Sequence, residues 1–98
     1  MTSKQRAYLK GLAMTMDPIF QIGKASVTPE ITTAIDEALE ARELIKLTVL
    51  KNCVDDGRSI AEVLAERTHS EVVQVIGKKI VLYREAKDVK KRKITLPN

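Results

Sequence analysis

Aromatic side chains are scarce in this chain: 98 residues include no tryptophan, one phenylalanine and two tyrosines. The core must therefore be aliphatic. Phe20, Tyr8 and Tyr83 are the whole stock for stacking on a planar ligand, and Tyr8 and Tyr83 are expected to pack in the core. The single cysteine, Cys53, excludes an intrachain disulfide and suits a reducing compartment. Cys53 and the one histidine, His69, are the only pair that hints at nucleophilic chemistry. They fall on different connecting segments, lack an orienting partner and have no metal-ligand spacing. No catalysis, cofactor or metal site is expected. The longest unbroken apolar run, Ile80 to Tyr83, is far short of the roughly 20 residues that a membrane span needs. No apolar stretch follows the basic N-terminal residues to make a secretory signal. A cytoplasmic, membrane-free, monomeric protein is the expectation.

Charge is plentiful and unevenly placed. The composition is 44% hydrophobic and 31% charged, which suits one globular domain over residues 1–98. The net charge is +4. Residues 1–29 carry +3, residues 30–42 carry −3 and residues 84–98 carry +4. If the two basic ends meet in space, one face is basic and another acidic, and a polyanion becomes the natural partner.

Periodicity predicts the order α-β-α-β-α-β-β. The first helix runs from an N-cap at Ser3 to about Met14, with Leu9, Leu12, Ala13 and Met16 inward and Arg6 and Lys10 outward. Gly11 weakens its interior, and close packing against a neighbour is the expected reason. Asp17-Pro18 breaks it, and a short strand ends at Ile22. The second helix runs from Pro29 to about Ala41 on a stripe of Ile31, Ala34, Ile35, Ala38 and Leu39, its acids mostly on a solvated face. Glu43 to Leu50 alternates as a strand. Asp55 or Asp56 caps a third helix buried through Ile60, Ala61, Val63 and Leu64. Val72–Ile76 and Ile80–Arg84 form a hairpin across Gly77-Lys78-Lys79. The tail from about Glu85 is expected to be mobile, although Ile94-Thr95-Leu96-Pro97 is apolar enough to dock. Crossover helices favour parallel neighbours, and the hairpin is antiparallel. The expected fold class is α+β, a two-layer arrangement of a mixed four-stranded sheet with three helices.

The junction from Ile22 to Glu30 carries the main functional signal. A strand ends in Gly23, followed by Lys24, Ala25, Ser26 and Val27, and a helix opens with Thr28 as N-cap and Pro29 at its first position. Free backbone N–H groups at such a junction suit an anion. Gly23 lets a phosphate approach, and Lys24 adds mobile positive charge. Arg6 and Lys10, the hairpin lysines Lys78 and Lys79, and the tail bases Arg84, Lys87, Lys90, Lys91, Arg92 and Lys93 are candidates to widen a phosphate track.

Several runs carry a family resemblance. They are Leu9-Lys10-Gly11-Leu12-Ala13, Ile22-Gly23-Lys24, Ala38-Leu39-Glu40 through Glu43-Leu44-Ile45-Lys46, and above all Gln74-Val75-Ile76-Gly77-Lys78-Lys79-Ile80-Val81-Leu82-Tyr83-Arg84. Over about residues 3–97 the chain resembles the bacterial YhbY family. That family is the single-domain form of the CRM domain, an RNA-binding module also found in plant organelle splicing factors. The resemblance implies a fold like the C-terminal domain of bacterial translation initiation factor three and a Gly-x-x-Gly loop that clamps RNA backbone as in KH domains. It also implies association with ribosomal RNA in large-subunit precursors during ribosome assembly, with ribosomal proteins as possible neighbours. Here the loop is Gly23-Lys24-Ala25-Ser26. A serine stands at the second glycine position, small enough to donate to phosphate but strained by about 1–2 kcal/mol if that position needs positive φ. The rival readings are a protein-docking module using acidic Glu37 and Glu40 of the second helix, and a small hydrolase or transferase using Cys53.

Overall fold

Every helix begins at a side-chain cap. The computed structural model describes residues 1–98. Helix α1 (Ser3–Ala13) is capped by Thr2 rather than Ser3. Gln5 completes a reciprocal box, the Gln5 N–H donating to Thr2 Oγ1 at 3.1 Å and the Thr2 N–H to Gln5 Oε1 at 3.0 Å. Strand β1 (Phe20–Ile22) leads to α2 (Pro29–Arg42), capped by Thr28 as expected. Asp56, not Asp55, caps α3 (Gly57–Thr68), which follows β2 (Leu44–Val49). His69 ends α3 in the left-handed region, and β3 (Glu71–Ile76) and β4 (Lys79–Tyr83) form the hairpin. Only the first turn residue, Gly77 at φ 55°, has positive φ, the pattern of a type II′ turn.

The sheet order is β1-β2-β4-β3. β1 and β2 are parallel neighbours, while β4 pairs antiparallel with both β2 and β3. Helix α3 thus carries the chain past the β4 position to the far edge, and the hairpin then fills the gap. β2 and β3 are not neighbours, although a crossover helix joins them.

Strand alternation divides the core in two. Ile45, Leu47, Val49, Ile80 and Leu82 point to one face, where Ile35 and Leu39 of α2 and Ile60, Ala61 and Leu64 of α3 cover them. Leu44, Val73, Val81 and Tyr83 point to the other face, under Leu9 and Ala13 of α1. A bulge between Val72 and Gln74 turns Val73 into this second cluster. The three helices and mixed four-stranded sheet of the expected class are present, with α1 alone on the second face.

Helix α1 corrects two expectations. Leu12 and Tyr8 are substantially exposed, and only Tyr83 of the two tyrosines is buried. A Cβ on Gly11 would meet nothing within 4 Å, so no close packing explains that glycine. Gly11→Ala is therefore expected to stabilise the protein by about 1 kcal/mol. Thermal unfolding of the full chain would show a midpoint about 4–8 °C higher.

The tail is docked, not mobile. Helix α2 passes into β2 through one residue, Glu43, at φ 66°, which is part of no strand. Its carboxylate is fully buried and accepts the N–H groups of Ala86 (2.7 Å), Lys93 (2.7 Å) and Ile94 (2.9 Å). Glu40, one turn earlier, accepts from Lys87 (2.8 Å) and Asp88 (2.9 Å). Ile94 and Leu96 then pack on the second cluster, and Gln5 donates to the Pro97 carbonyl at 3.1 Å, so the chain ends do meet. The acids of α2 expected on a solvated face are largely occupied: Asp36 and Glu40 hold Arg84, and Glu40 also holds the tail. This leaves the acidic-helix docking surface with little beyond exposed Glu37 and Glu30.

Candidate nucleic-acid interface

The register places the Gly23–Ser26 loop, the turn after β2, the start of α3 and the hairpin tip at one end of the sheet. Ile22 pairs with Val49, and the Val49 N–H donates to the Lys78 carbonyl at 2.7 Å. A Cβ on Gly57 would lie 3.1 Å from the Gly77 carbonyl oxygen, so α3 begins directly against the hairpin tip.

Within the loop, the Ser26 N–H donates to the Gly23 carbonyl at 2.9 Å and closes a tight turn. The N–H groups of Lys24, Ala25 and Val27 have no partner in the chain, and Lys24 and Ala25 are exposed. These open donors, with exposed Lys24 in the same turn, can receive an anion. Gly23 does not have positive φ, and a Cβ there would make only ordinary contacts with Leu50 and Asn52. Ser26 is the residue with positive φ, at 55°. The strain anticipated at the second glycine position is present. The Ser26 hydroxyl is also committed elsewhere: it donates to Asp55 Oδ2 at 2.5 Å, on the rim of a hollow of about 230 Å³ against α3. It locks the loop to the α3 entrance and does not point a free donor at a ligand.

The other candidates separate into groups. Lys78 and Lys79 are exposed at the loop's end of the sheet. Lys51 and Arg58, absent from the sequence-based set, stand at the same end. Arg58 lies in the first turn of α3, where a cation opposes the helix dipole; that misplacement was the available signal. Lys10 is exposed, while Arg6 bonds the carbonyls of Val72 and Val73 on edge strand β3, and both line a groove of about 440 Å³ there.

Arg84 is misassigned by the sequence reading. It is 7% exposed, and its guanidinium bonds Asp36 Oδ1 (2.5 Å), the Thr68 carbonyl (2.9 Å) and the Asp36 carbonyl (3.1 Å). It ties α2 to the end of α3 and leaves no face for a phosphate. Arg92 is partly committed too, its Nε donating to the Ala86 carbonyl at 2.9 Å and its Nη2 standing 3.4 Å from Glu85. Lys87, Lys90, Lys91 and Lys93 are exposed, but Glu40 and Glu43 hold the tail backbone at either end of this stretch, at the C-terminal end of α2. That is about 20 Å from Thr28, the length of α2, so the tail bases are not part of the loop's cluster.

Two features have no place in this site. Cys53 packs half-buried on the main core near the start of α3, and His69 caps its far end, so the pair never meets. No helix is long and apolar enough to cross a membrane.

Comparison with known proteins decides the family. The CRS1/YhbY (CRM) domain model matches residues 1–84. The chain belongs to the CRS1/YhbY (CRM) domain family. This chain is 47% identical over 97 residues to the Bacillus subtilis protein named Probable RNA-binding protein YqeI, covering 99% of both chains. It is 32% identical over 90 residues to a Haemophilus influenzae protein named RNA-binding protein, covering 92% of this chain and 91% of that one. The solution structure of Staphylococcus aureus SAV1595 superposes with a TM-score of 0.79 at 52% identity, covering 99% of each chain.

Proposed function

We propose that this protein binds RNA without catalysis, in the cytoplasm, and that its target is ribosomal RNA in large-subunit precursors during ribosome assembly. The observation that carries the reading is the Gly23–Ser26 turn, whose unpaired N–H groups at Lys24, Ala25 and Val27 sit among exposed Lys24, Lys51, Lys78 and Lys79. The two relatives named as RNA-binding proteins support it. Backbone N–H groups and lysines hold phosphates without reading bases, so the loop supplies affinity and orientation. The scarcity of aromatic side chains argues against base stacking as the main source of binding.

Lys24→Glu is expected to lower affinity for single-stranded RNA about tenfold, uniformly across sequences, and to flatten the salt dependence. Fluorescence anisotropy at several salt concentrations reads both quantities, and thermal unfolding confirms that the exposed substitution leaves the fold intact. Wild-type binding by the folded variant would remove the loop as the contact site. Sedimentation of the tagged protein from lysate tests the target. Co-migration with large-subunit precursors, lost as salt rises, is the expected result. Migration as free protein at low salt would reject the ribosomal assignment.

A further inference from the structure

Half of the sheet's second face has no cover. Helix α1 and the tail sit over Leu44, Val73, Val81 and Tyr83. Towards the loop end, the same face carries a row crossing all four strands: Gln21 pairs with Thr48, Thr48 with Lys79, and Lys79 with Ile76. A second, shorter row, Lys46 and Gln74 flanking the buried Val81, borders the covered part of the face. Gln21, Lys79 and Ile76 are exposed, and Lys46, Thr48 and Gln74 half-buried.

An antiparallel sheet can leave one face in water without functional meaning. This surface differs from an ordinary solvated one in three respects. Neither row contains an acid, although the chain has 13 acidic residues. Lys46 and Lys79 have no carboxylate partner; all three ion pairs in the protein involve Arg84 or Arg92. Lys79 Nζ instead donates to Thr48 Oγ1 at 3.0 Å. Ile76, 62% exposed, ends the long row with apolar surface among amides and ammonium groups. At the β3 edge the rows open into the groove lined by Arg6, Lys10 and Arg58.

From this we infer that the uncovered half-face is a seat for single-stranded RNA, continuous with the loop through Lys79 and Lys78. The inference rests on the RNA-binding reading above and adds to it. The loop would hold phosphates, while the amides of Gln21 and Gln74 and the Thr48 hydroxyl face base edges and Ile76 packs against a base. Lys46, Lys79 and Lys10 neutralise the strand's charge. Amide side chains both donate and accept, so this shelf, unlike the loop, can prefer one base over another.

The test uses the ¹⁵N-labelled full chain titrated with short oligouridylate and, separately, oligoadenylate. Expected are amide shifts at residues 21, 46, 48, 74 and 79 together with those of the loop, and different shifts of the Gln21 and Gln74 side-chain amides with the two probes. Lys46→Glu should lower affinity about tenfold. Gln21→Glu, at an exposed position of edge strand β1, gives the same readout if Lys46→Glu unfolds. RNA binding with shifts confined to residues 23–28, and wild-type affinity in the folded variants, would overturn the shelf and leave the RNA reading standing. Absence of any RNA binding by the wild-type chain would overturn both. Tighter binding of an acidic peptide than of RNA at the same residues would assign the shelf to a protein partner and overturn the inference.

Discussion

Glu43→Ala is expected to remove about 3–5 kcal/mol of stability and to release the tail from the body, because a buried carboxylate satisfying several donors leaves them orphaned when deleted. The wild-type side chain is completely buried and receives three N–H groups from two separate parts of the tail. It is also held at a φ of 66°, a sparsely populated backbone conformation that costs a non-glycine residue about 1–3 kcal/mol. The carboxylate contacts evidently outweigh that strain. Glu43→Gly separates the two effects: it relieves the backbone but still loses the anchor, so it should fall between wild type and alanine. Denaturant melts measure the order, and amide exchange at residues 86, 93 and 94 reports release. Loss of protection there in Glu43→Ala, with α2 and β2 still protected, is the expected pattern; unchanged protection would refute the anchor. Acid should act in the same direction. Burial raises the Glu43 carboxyl, but the N–H groups of Ala86, Lys93 and Ile94 outweigh it and hold it below the usual 4.5. The N–H groups of Asp88 and Lys87 lower Glu40 likewise. The unfolded chain therefore takes up these protons at higher pH than the folded one. The stabilisation is complete above about pH 5 and is lost as pH falls through 4.5 towards the folded values.

This anchor shows where sequence reasoning stops. Local rules located all three helices and four strands to within a few residues, because caps such as Thr28 and stripes such as Ile31, Ile35 and Leu39 act over one or two turns. The loop was legible for the same reason: Gly23 to Pro29 is a strand end, a turn and a helix start in consecutive positions. Glu40 and Glu43 were not legible as anchors. Their partners lie 43 to 51 residues away and are backbone N–H groups, which carry no side-chain signature. Charge patterning could only read Glu40 as solvated and the tail as mobile, and alternation placed Glu43 in the second strand. The uncovered shelf was hidden differently. Lys46 and Thr48 read as the polar side of an alternating strand, but which part of that face α1 would cover depends on tertiary placement. The sheet order also lay beyond local patterns, since pairing β4 between β2 and β3 is a long-range choice.

Arg84→Ala is the second large effect, about 3 kcal/mol of stability, since hydrogen bonds from a charged donor are worth about 1.5–3 kcal/mol and a buried acceptor left alone adds to the loss. Arg84 holds the Thr68 carbonyl, buried at the end of α3, against Asp36 and Glu40 of α2. Asp36 is 44% exposed and can turn to water once the arginine is gone; Thr68 is completely buried and cannot. The cost therefore lies with the carbonyl more than with the ion pair. Arg84→Lys keeps the charge but not the fork that reaches both helices, so it should recover less than half of the loss. If Arg84 contacted RNA, alanine would lower oligonucleotide affinity at unchanged stability and lysine would restore it. The packing predicts the reverse separation: a large drop in unfolding free energy, with each folded molecule binding oligonucleotide as the wild type does. Denaturant melts and anisotropy titrations on the same samples distinguish the two. The same logic explains how a basic residue in the hairpin motif can serve the fold alone, and it leaves the proposed phosphate contacts to lysines at the opposite end of the sheet.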